Sequence, residues 1–164
     1  QKLPESQMDR FMIRVTMGYP SVEDEVSIMK SKTGGLSNRV LSKNVINAQD
    51  FMAMRDIVDE VYVDDSIYEY VAKIVAKTRD SDDILQGISP RGSISIINMA
   101  KAEAFLRGHD YVLPSDIQFV LNDTMAHRII LNRSLKRGHI TEESVIDSIC
   151  RSVDVPKIGT RGIL

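Results

Sequence analysis

The chain has 164 residues, of which 43% are hydrophobic and 27% are charged, a composition typical of one globular domain or of a small domain plus part of another. Its formal net charge of −2 gives no general attraction for nucleic acid or acidic membranes, so we expect neither as a partner. No apolar run is long enough to span a bilayer and no secretory signal stands at the start, so neither a membrane span nor secretion is predicted.

The first segment is predicted to contain one short β-strand. Apolar side chains alternate with other residues along it, at Phe11, Ile13, Val15 and Met17. Gly18 and Pro20 then end the pattern. A strand needs neighbours for its backbone hydrogen bonds, and the sequence offers no convincing second long strand. We therefore expect this strand either to be separated from its sheet or to pack as an extended arm.

The remainder is predicted to be helical. Six helices are expected, over residues 22–31, about 48–60, from Asp64 or Asp65, from Pro90 to Gly108, from Pro114 and from Thr141. Ser21 and Asn47 are predicted to cap the first two, with Asp24 and Asp50 at the N3 positions. The second helix has one apolar side, formed by Phe51, Met54, Ile57 and Val58. Between the helices, residues 61–63 form a brief extended piece and residues 79–89 a loop. The helical spacing of apolar residues predicts that Val71, Ile74, Ile97 and Ala100 share one core.

The helix that starts at Pro90 is apolar over most of its circumference, and Arg91, Ser95 and Asn98 form a narrow polar stripe that must face water, a partner or a ligand. The same helix carries an electrostatic conflict. Arg91 lies in its first turn, where the helix terminus has partial positive charge and a cation is unfavourable by about 0.3–1 kcal/mol. A bound anion would remove the conflict, because both the terminus and the guanidinium attract it. The alternative is that Arg91 is a solvated surface residue or pairs with a nearby aspartate.

Three long motifs carry a resemblance to a known family. They are "LPESQMDRF" at 3–11, "GISPRGSISIINMAKAEAFLRGHDYVLPSDI" at 87–117 and "MAHRIIL" at 125–131. The segments "VYVDDSIYEYVAKIVAKTR" at 61–79 and "ICRSVDVP" at 149–156 fit the same family. Over almost all of residues 3–156, the chain resembles the C-terminal part of a MoxR-type AAA+ ATPase.

This resemblance implies a fold and a domain organisation. The expected fold is mainly α, a helical bundle of the AAA+ lid type with one short N-terminal strand left from the α/β ATPase core. Residues 1–20 would be the end of the core, with the arginine-finger segment and the last strand. Residues 21–156 would form the lid, and residues 157–164 a loose tail.

The resemblance also implies roles for two arginines. The arginine of "SPR" in such proteins is the sensor 2 residue, which reaches from the lid to the nucleotide phosphates, and Arg91 matches it. The arginine of "DRF" resembles the arginine finger that acts on the ATP of a neighbouring subunit, and Arg10 matches it. Without the resemblance, a salt bridge of Arg10 with Asp9 or Glu5 would be the better interpretation.

The chain lacks the primary parts of an ATPase. It has no G-x-x-x-x-G-K-[ST] loop and no hydrophobic strand ending in Asp-Glu to hold magnesium. We therefore expect ATP and magnesium to serve a longer parent protein, a ring oligomer expected to be a hexamer, while this chain alone is inactive and holds neither. That parent would couple ATP hydrolysis to chaperone-like remodelling of a partner protein. The alternative is a helical interaction module with no nucleotide role.

Other candidate sites are weak. His109, His127 and His139 lack metal-ligand spacing, so no metal site is predicted. His127 and Arg128 form either a buried pair or a lid contact. The single cysteine, Cys150, can form no internal disulfide, which fits a cytoplasmic location. The chain opens with Gln1 rather than methionine, and we expect it to be part of a longer protein.

Overall fold

A computed structural model describes residues 3–33, 45–132 and 140–157. Its elements, in chain order, are α1 (Glu5–Met8), α2 (Val22–Thr33), α3 (Ala48–Glu60), α4 (Asp65–Asp80), β1 (Ile84–Gln86), α5 (Pro90–Leu106), α6 (Pro114–Met125), β2 (Ile130–Leu131) and α7 (Glu142–Arg151). The predicted mainly α fold is confirmed. His139 and residues 158–164 of the predicted tail lie outside the described residues. No helix in the described ranges is long and apolar enough to cross a membrane.

One hydrophobic core is built from the four helices α4, α5, α6 and α7. Helix α5 packs along α6 and α4, while α7 packs against α4 and α6. Ile74 and Ala100 have no exposed surface, Val71 is nearly as buried, and Ile97 packs against the same cluster. The shared core predicted for these four residues is confirmed.

The helix ends follow the predicted capping chemistry. Asn47 accepts a hydrogen bond from the backbone N–H of Asp50, whose carboxylate bonds back to the Asn47 N–H, which is a capping box. At the end of α5, Gly108 has φ of 79°, and the N–H of the next residue reaches the carbonyl of Ala104 at 2.8 Å. Glycine adopts this left-handed conformation without strain, so the helix stops there as predicted.

The prediction of a loop over residues 79–89 is wrong for its middle residues. Ile84–Gln86 form β1, which pairs antiparallel with β2, with Ile84 opposite Leu131 and Gln86 opposite Ile130. Three residues are too few for an alternating pattern to stand out, and the partner strand lies more than forty residues later. Burial of Ile84 and Leu131 in the core stabilises this pairing instead.

The strand predicted over residues 11–17 is also absent. The backbone bends at Phe11 and Met12, the stretch has no strand partner among the described residues, and Phe11, Ile13 and Val15 are exposed. Its backbone bonds go to other groups: the N–H of Arg14 donates to the carbonyl of Asp123 at 2.9 Å, and the Phe11 carbonyl accepts from side chains. These bonds tie the segment to the helices as an arm, and the other expectation, a strand separated from its sheet, stays a prediction.

Helices α2 and α3 lie at the surface. All twelve residues of α2 are exposed, including Ile28 and Met29, although Ser21 caps the helix as predicted through the Asp24 N–H. In α3, Phe51 and Ile57 are more than half exposed. Met54 and Val58 on the same predicted apolar side are half-buried, and α3 contacts α5, so that side is only partly covered by the described part of the chain.

Candidate functional site

Three segments that are far apart in sequence meet at the N-terminus of α5. They are the turn after α1, the start of α5, and the residues that follow α6. Each comes from one of the three motifs quoted above, and each contributes a side chain that bonds to another: Asp9, Ser89 and Arg128.

Arg128 is the most buried member of this cluster. Its side chain is only 1% exposed, and its guanidinium donates to six groups. One is the Asp9 carboxylate at 3.2 Å, one is the Ser95 hydroxyl at 3.0 Å, and the rest are backbone carbonyls, including those of Phe11 at 2.6 Å and Thr124. Burial lowers the pKa of Arg128, and the charge of Asp9 opposes that shift. The arginine remains charged, because its ordinary pKa is far above neutrality.

Asp9 is the acidic centre of the cluster. Its carboxylate accepts from the Ser89 hydroxyl at 3.1 and 3.0 Å and from Arg128 at 3.2 Å, and it lies 3.9 Å from the Arg91 guanidinium. Ser89 is also the N-cap of α5 and accepts from the Gly92 N–H at 3.4 Å. One hydroxyl therefore both caps the helix and fixes the carboxylate beside it.

Gly92 makes room for the buried arginine. A Cβ at this position would overlap the Ile88 side chain and lie 3.2 Å from Cδ of Arg128. Glycine is unfavourable inside a helix by about 1 kcal/mol relative to alanine, so the close approach explains its presence. The first turn of α5 and the Arg128 side chain therefore fit together only without that carbon.

Arg91 lies where the sequence places it, in the first turn of α5, and this turn contains no acidic residue. Its side chain is 59% exposed, and its one described ion pair is the 3.9 Å contact with Asp9. Both parts of the simpler interpretation of Arg91 therefore fit the structure. An ion pair this long and exposed contributes between 0 and about 1 kcal/mol, so it holds the guanidinium weakly.

Arg10 lies on the turn that follows α1 and is exposed. No described ion pair includes it, and Asp9 is engaged by Arg128, Ser89 and Arg91 instead. The salt bridge between Arg10 and Asp9 is therefore not found, while the Glu5 side chain lies outside the described part of the chain. Arg10 and Arg91 belong to the two segments that Asp9 joins.

His127 contacts the same segment. Its Nε2 lies 3.0 Å from the Phe11 carbonyl, and its Nδ1 is buried without a hydrogen-bond partner. Burial lowers the pKa of His127, and the charge of Arg128 lowers it further, although the bond to Phe11 opposes the shift. The neutral ring therefore donates from Nε2 to the carbonyl. His127 and Arg128 are thus buried side by side, and both bind the N-terminal segment.

Sequence reasoning found the two arginines but missed the residues that organise them. It named Asp9 only as a partner for Arg10, and it assigned Ser95 to a polar stripe facing water, a partner or a ligand, whereas Ser95 is buried against Arg128. The available signal was the polar pair His127–Arg128 inside an otherwise apolar motif. Within the described residues, no group of three or more His, Cys, Asp or Glu side chains is arranged to hold a metal ion.

Comparisons with known proteins show which family the chain resembles. Residues 76–149 match the family model described as the AAA lid domain. The chain is 39% identical to the uncharacterized protein YeaC of Bacillus subtilis and 31% identical to chaperone MoxR1 of Mycobacterium tuberculosis, over 94% and 95% of its own length. It covers 48% and 43% of those two proteins, so it spans about half the length of the curated relatives it matches.

A solved structure shares the fold. The crystal structure of a candidate ATPase from Cytophaga hutchinsonii superposes with a TM-score of 0.81 at 31% identity. The match covers 96% of this chain and 50% of that one. Similarity in sequence and in fold therefore extends over the N-terminal arm as well as the helices.

Proposed function

Because the chain contains an AAA lid domain and resembles the C-terminal part of MoxR-type AAA+ ATPases, we propose that it is the lid portion of an ATP-driven machine. The machine would couple ATP binding and hydrolysis to chaperone-like remodelling or activation of a partner protein. Residues 1–20 are assigned to the end of the ATPase core and residues 21–156 to the lid. The unpaired Cys150 fits a reducing compartment such as the cytoplasm.

One observation carries the proposal: an exposed arginine with a weak partner lies at the N-terminus of α5. The helix terminus and the Arg91 guanidinium both favour an anion. A phosphate oxygen would gain charge-assisted hydrogen bonds from the planar guanidinium, while the ion pair given up among the described residues is the 3.9 Å contact with Asp9. This supports Arg91 as the sensor 2 residue.

The setting of Arg10 supports a role across a subunit boundary. Its side chain is exposed and has no described ion pair, while the carbonyls of Asp9 and Phe11, on either side of it, both accept from Arg128 at 3.3 and 2.6 Å. A fixed backbone with an unengaged cation is what electrostatic stabilisation of a transition state requires. We assign Arg10 as the trans arginine finger of a ring, expected to be a hexamer.

ATP and magnesium would be held largely outside this chain. The sequence contains no P-loop, and the cluster around Arg91 supplies positive charge but no free carboxylates for a cation. When bound, magnesium would neutralise charge on the phosphates. The contribution of this chain would be the two guanidinium groups and the closing surface of the lid.

Nucleotide binding by the full-length ATPase that carries this chain tests the role of Arg91. We expect Arg91→Ala to weaken ATP binding by about 10-fold or more, the loss of one charge-assisted contact. Arg55→Ala is the matched control, because Arg55 is 57% exposed and also pairs with one aspartate, at 3.2 Å. Equal affinity of the two variants would contradict the sensor 2 role. A wild-type protein that binds no nucleotide would favour the interaction module instead.

Mixed rings test the role of Arg10. Arg10→Ala subunits and subunits with a disabled P-loop lysine should each be inactive, yet mixtures place an intact P-loop beside an intact Arg10 and should regain part of the turnover. Arg10→Ala alone should keep nucleotide affinity, because a finger acts mainly on the transition state. Stable mixed rings without activity at any ratio would exclude a trans finger.

A further inference from the structure

The cluster at the N-terminus of α5 places one carboxylate between the two proposed ATP-facing arginines. Asp9 precedes Arg10 in sequence and is the described acidic residue that contacts Arg91. The same carboxylate contacts Arg128. The Arg128 guanidinium lies 3.2 Å from this carboxylate and is enclosed, whereas the Arg91 guanidinium lies 3.9 Å from it and is 59% exposed. The first contact is therefore stable and the second is easily exchanged.

The contact between Asp9 and Arg128 is buried and stable. The guanidinium of Arg128 is enclosed, and its Nη2 bonds to the carbonyls of Asp9 and Phe11, the two residues that flank Arg10. The Asp9 carboxylate also accepts a hydrogen bond from Nε of Arg128, at 3.2 Å. Removing these bonds would leave the enclosed guanidinium with fewer partners, which is costly for a buried charge. The backbone of Arg10 is thereby fixed while its side chain projects into solvent.

The contact between Asp9 and Arg91 is weak and easily exchanged. At 3.9 Å, with the arginine 59% exposed, it is long and solvated, and Asp9 keeps Ser89 and Arg128 as partners when Arg91 leaves. A phosphate near the α5 terminus would therefore compete for Arg91 against a weak contact. No buried charge would be stranded by the exchange.

We propose that Asp9 and Arg128 are positioning residues for Arg10, and that Asp9 is also the resting partner from which a phosphate takes Arg91. This inference rests on the proposed function and assigns the regulation of the same site. The Asp9 carboxylate thus acts on two nucleotide sites. It acts on the site of its own subunit through Arg91 and on that of the neighbouring subunit through Arg10.

The test uses the Asp9→Asn variant of the full-length ATPase, with ATP as the ligand. Asparagine keeps the size of the side chain but loses the charge that fixes the Arg10 turn, so turnover should fall by about 10- to 100-fold, as for a misplaced catalytic group. ATP affinity should not fall, and release of Arg91 should tighten it by a factor of at most about 5. A purely structural defect would weaken both properties.

Mixed rings give a readout that a structural role would not move. Asp9→Asn subunits retain their own P-loop, so mixing them with subunits that lack the P-loop lysine should restore part of the activity, as for Arg10→Ala. Glu143→Gln is the control, because Glu143 bonds to Arg14 of the same arm at 3.5 Å yet lies outside the cluster, and it should keep normal turnover.

The possible outcomes separate this inference from the proposed function. If Arg10→Ala is not complemented, the proposed finger fails. If Arg10→Ala is complemented but Asp9→Asn has normal turnover, lower ATP affinity or no complementation, the positioning role fails. Should Asp9→Asn not assemble, Asp9→Glu keeps the charge but displaces it by one methylene. It should show the same pattern of lower turnover and complementation, and wild-type turnover would overturn the inference.

Discussion

The helical core and the N-terminal arm are held to the molecule by different forces. The core, from α4 to α7, is formed by side chains such as Ile74 and Ile146, which have no exposed surface. The arm over residues 9–14 leaves its apolar side chains largely in water and is held by polar bonds from Arg128 and His127. Burial is non-directional, whereas these bonds fix individual atoms. The arm is therefore positioned accurately but contributes little to the hydrophobic core.

The largest effect should come from the core. Ile74→Ala would remove a fully buried side chain from α4 and should lower the free energy of unfolding by about 3–4 kcal/mol, measured by chemical denaturation. Ile28→Ala is the control, since Ile28 is half exposed on α2, and it should change stability by less than about 0.5 kcal/mol. Similar effects of the two variants would contradict the contrast between core and surface.

The second largest effect should come from Arg128, which anchors the arm. Arg128→Leu would remove the bonds that Arg128 donates to Ser95 and to the carbonyls of Met12 and Thr124, while the Phe11 carbonyl would keep His127. We expect the free energy of unfolding to fall by about 2–3 kcal/mol. Trypsin should cleave after Arg10 and Arg14 faster, because the arm is released. Arg107→Leu is the matched control, because Arg107 pairs with Glu103 and Asp116 away from the arm. It should leave cleavage in the arm unchanged, and equal cleavage in both variants would rule out specific anchoring.

Acid should loosen the arm through His127. Because its pKa is lowered on folding, the unfolded chain binds a proton on this ring more readily than the folded one. The stabilising contribution is therefore fully present above the unfolded pKa of about 6.5 and is lost as the pH falls below it, by at most about 1.4 kcal/mol at pH 5.5.

Thermal unfolding at several pH values checks this expectation. His127→Gln keeps a donor for the Phe11 carbonyl but does not titrate, so its stability should depend less on pH between 7.5 and 5.5 than that of the wild type. Identical pH dependence of the two proteins would show that His127 is not the group responsible.

The smallest effect should come from the ion pair at the far end of the arm. Arg14 and Glu143 are 3.5 Å apart, and both side chains are nearly half exposed. Glu143→Gln should therefore change the free energy of unfolding by less than about 0.5 kcal/mol. A larger loss would mean that surface charge, rather than Arg128, holds the arm.

The same contrast explains how much could be predicted from the sequence. Helix α4 was predictable because Ile67, Val71 and Ile74 recur at helical spacing, and the cap at Asn47 because its partner is three residues away. The prediction of a strand over residues 11–17 was wrong because an alternating pattern does not specify which groups form hydrogen bonds with its backbone. The bond between Arg128 and Asp9 joins residues 119 positions apart, and no local pattern encodes it. The resemblance therefore named the two arginines, whose roles stay proposals, but not the residues that hold their segments together.

Gly92 has a consequence for evolution. Since a single additional carbon at this position would collide with Ile88 and crowd Arg128, we expect natural selection to act on these positions jointly. Among homologues, a larger residue at the position of Gly92 should appear together with a smaller one at that of Ile88 and a shorter one at that of Arg128. These three positions are thereby expected to be inherited as one unit.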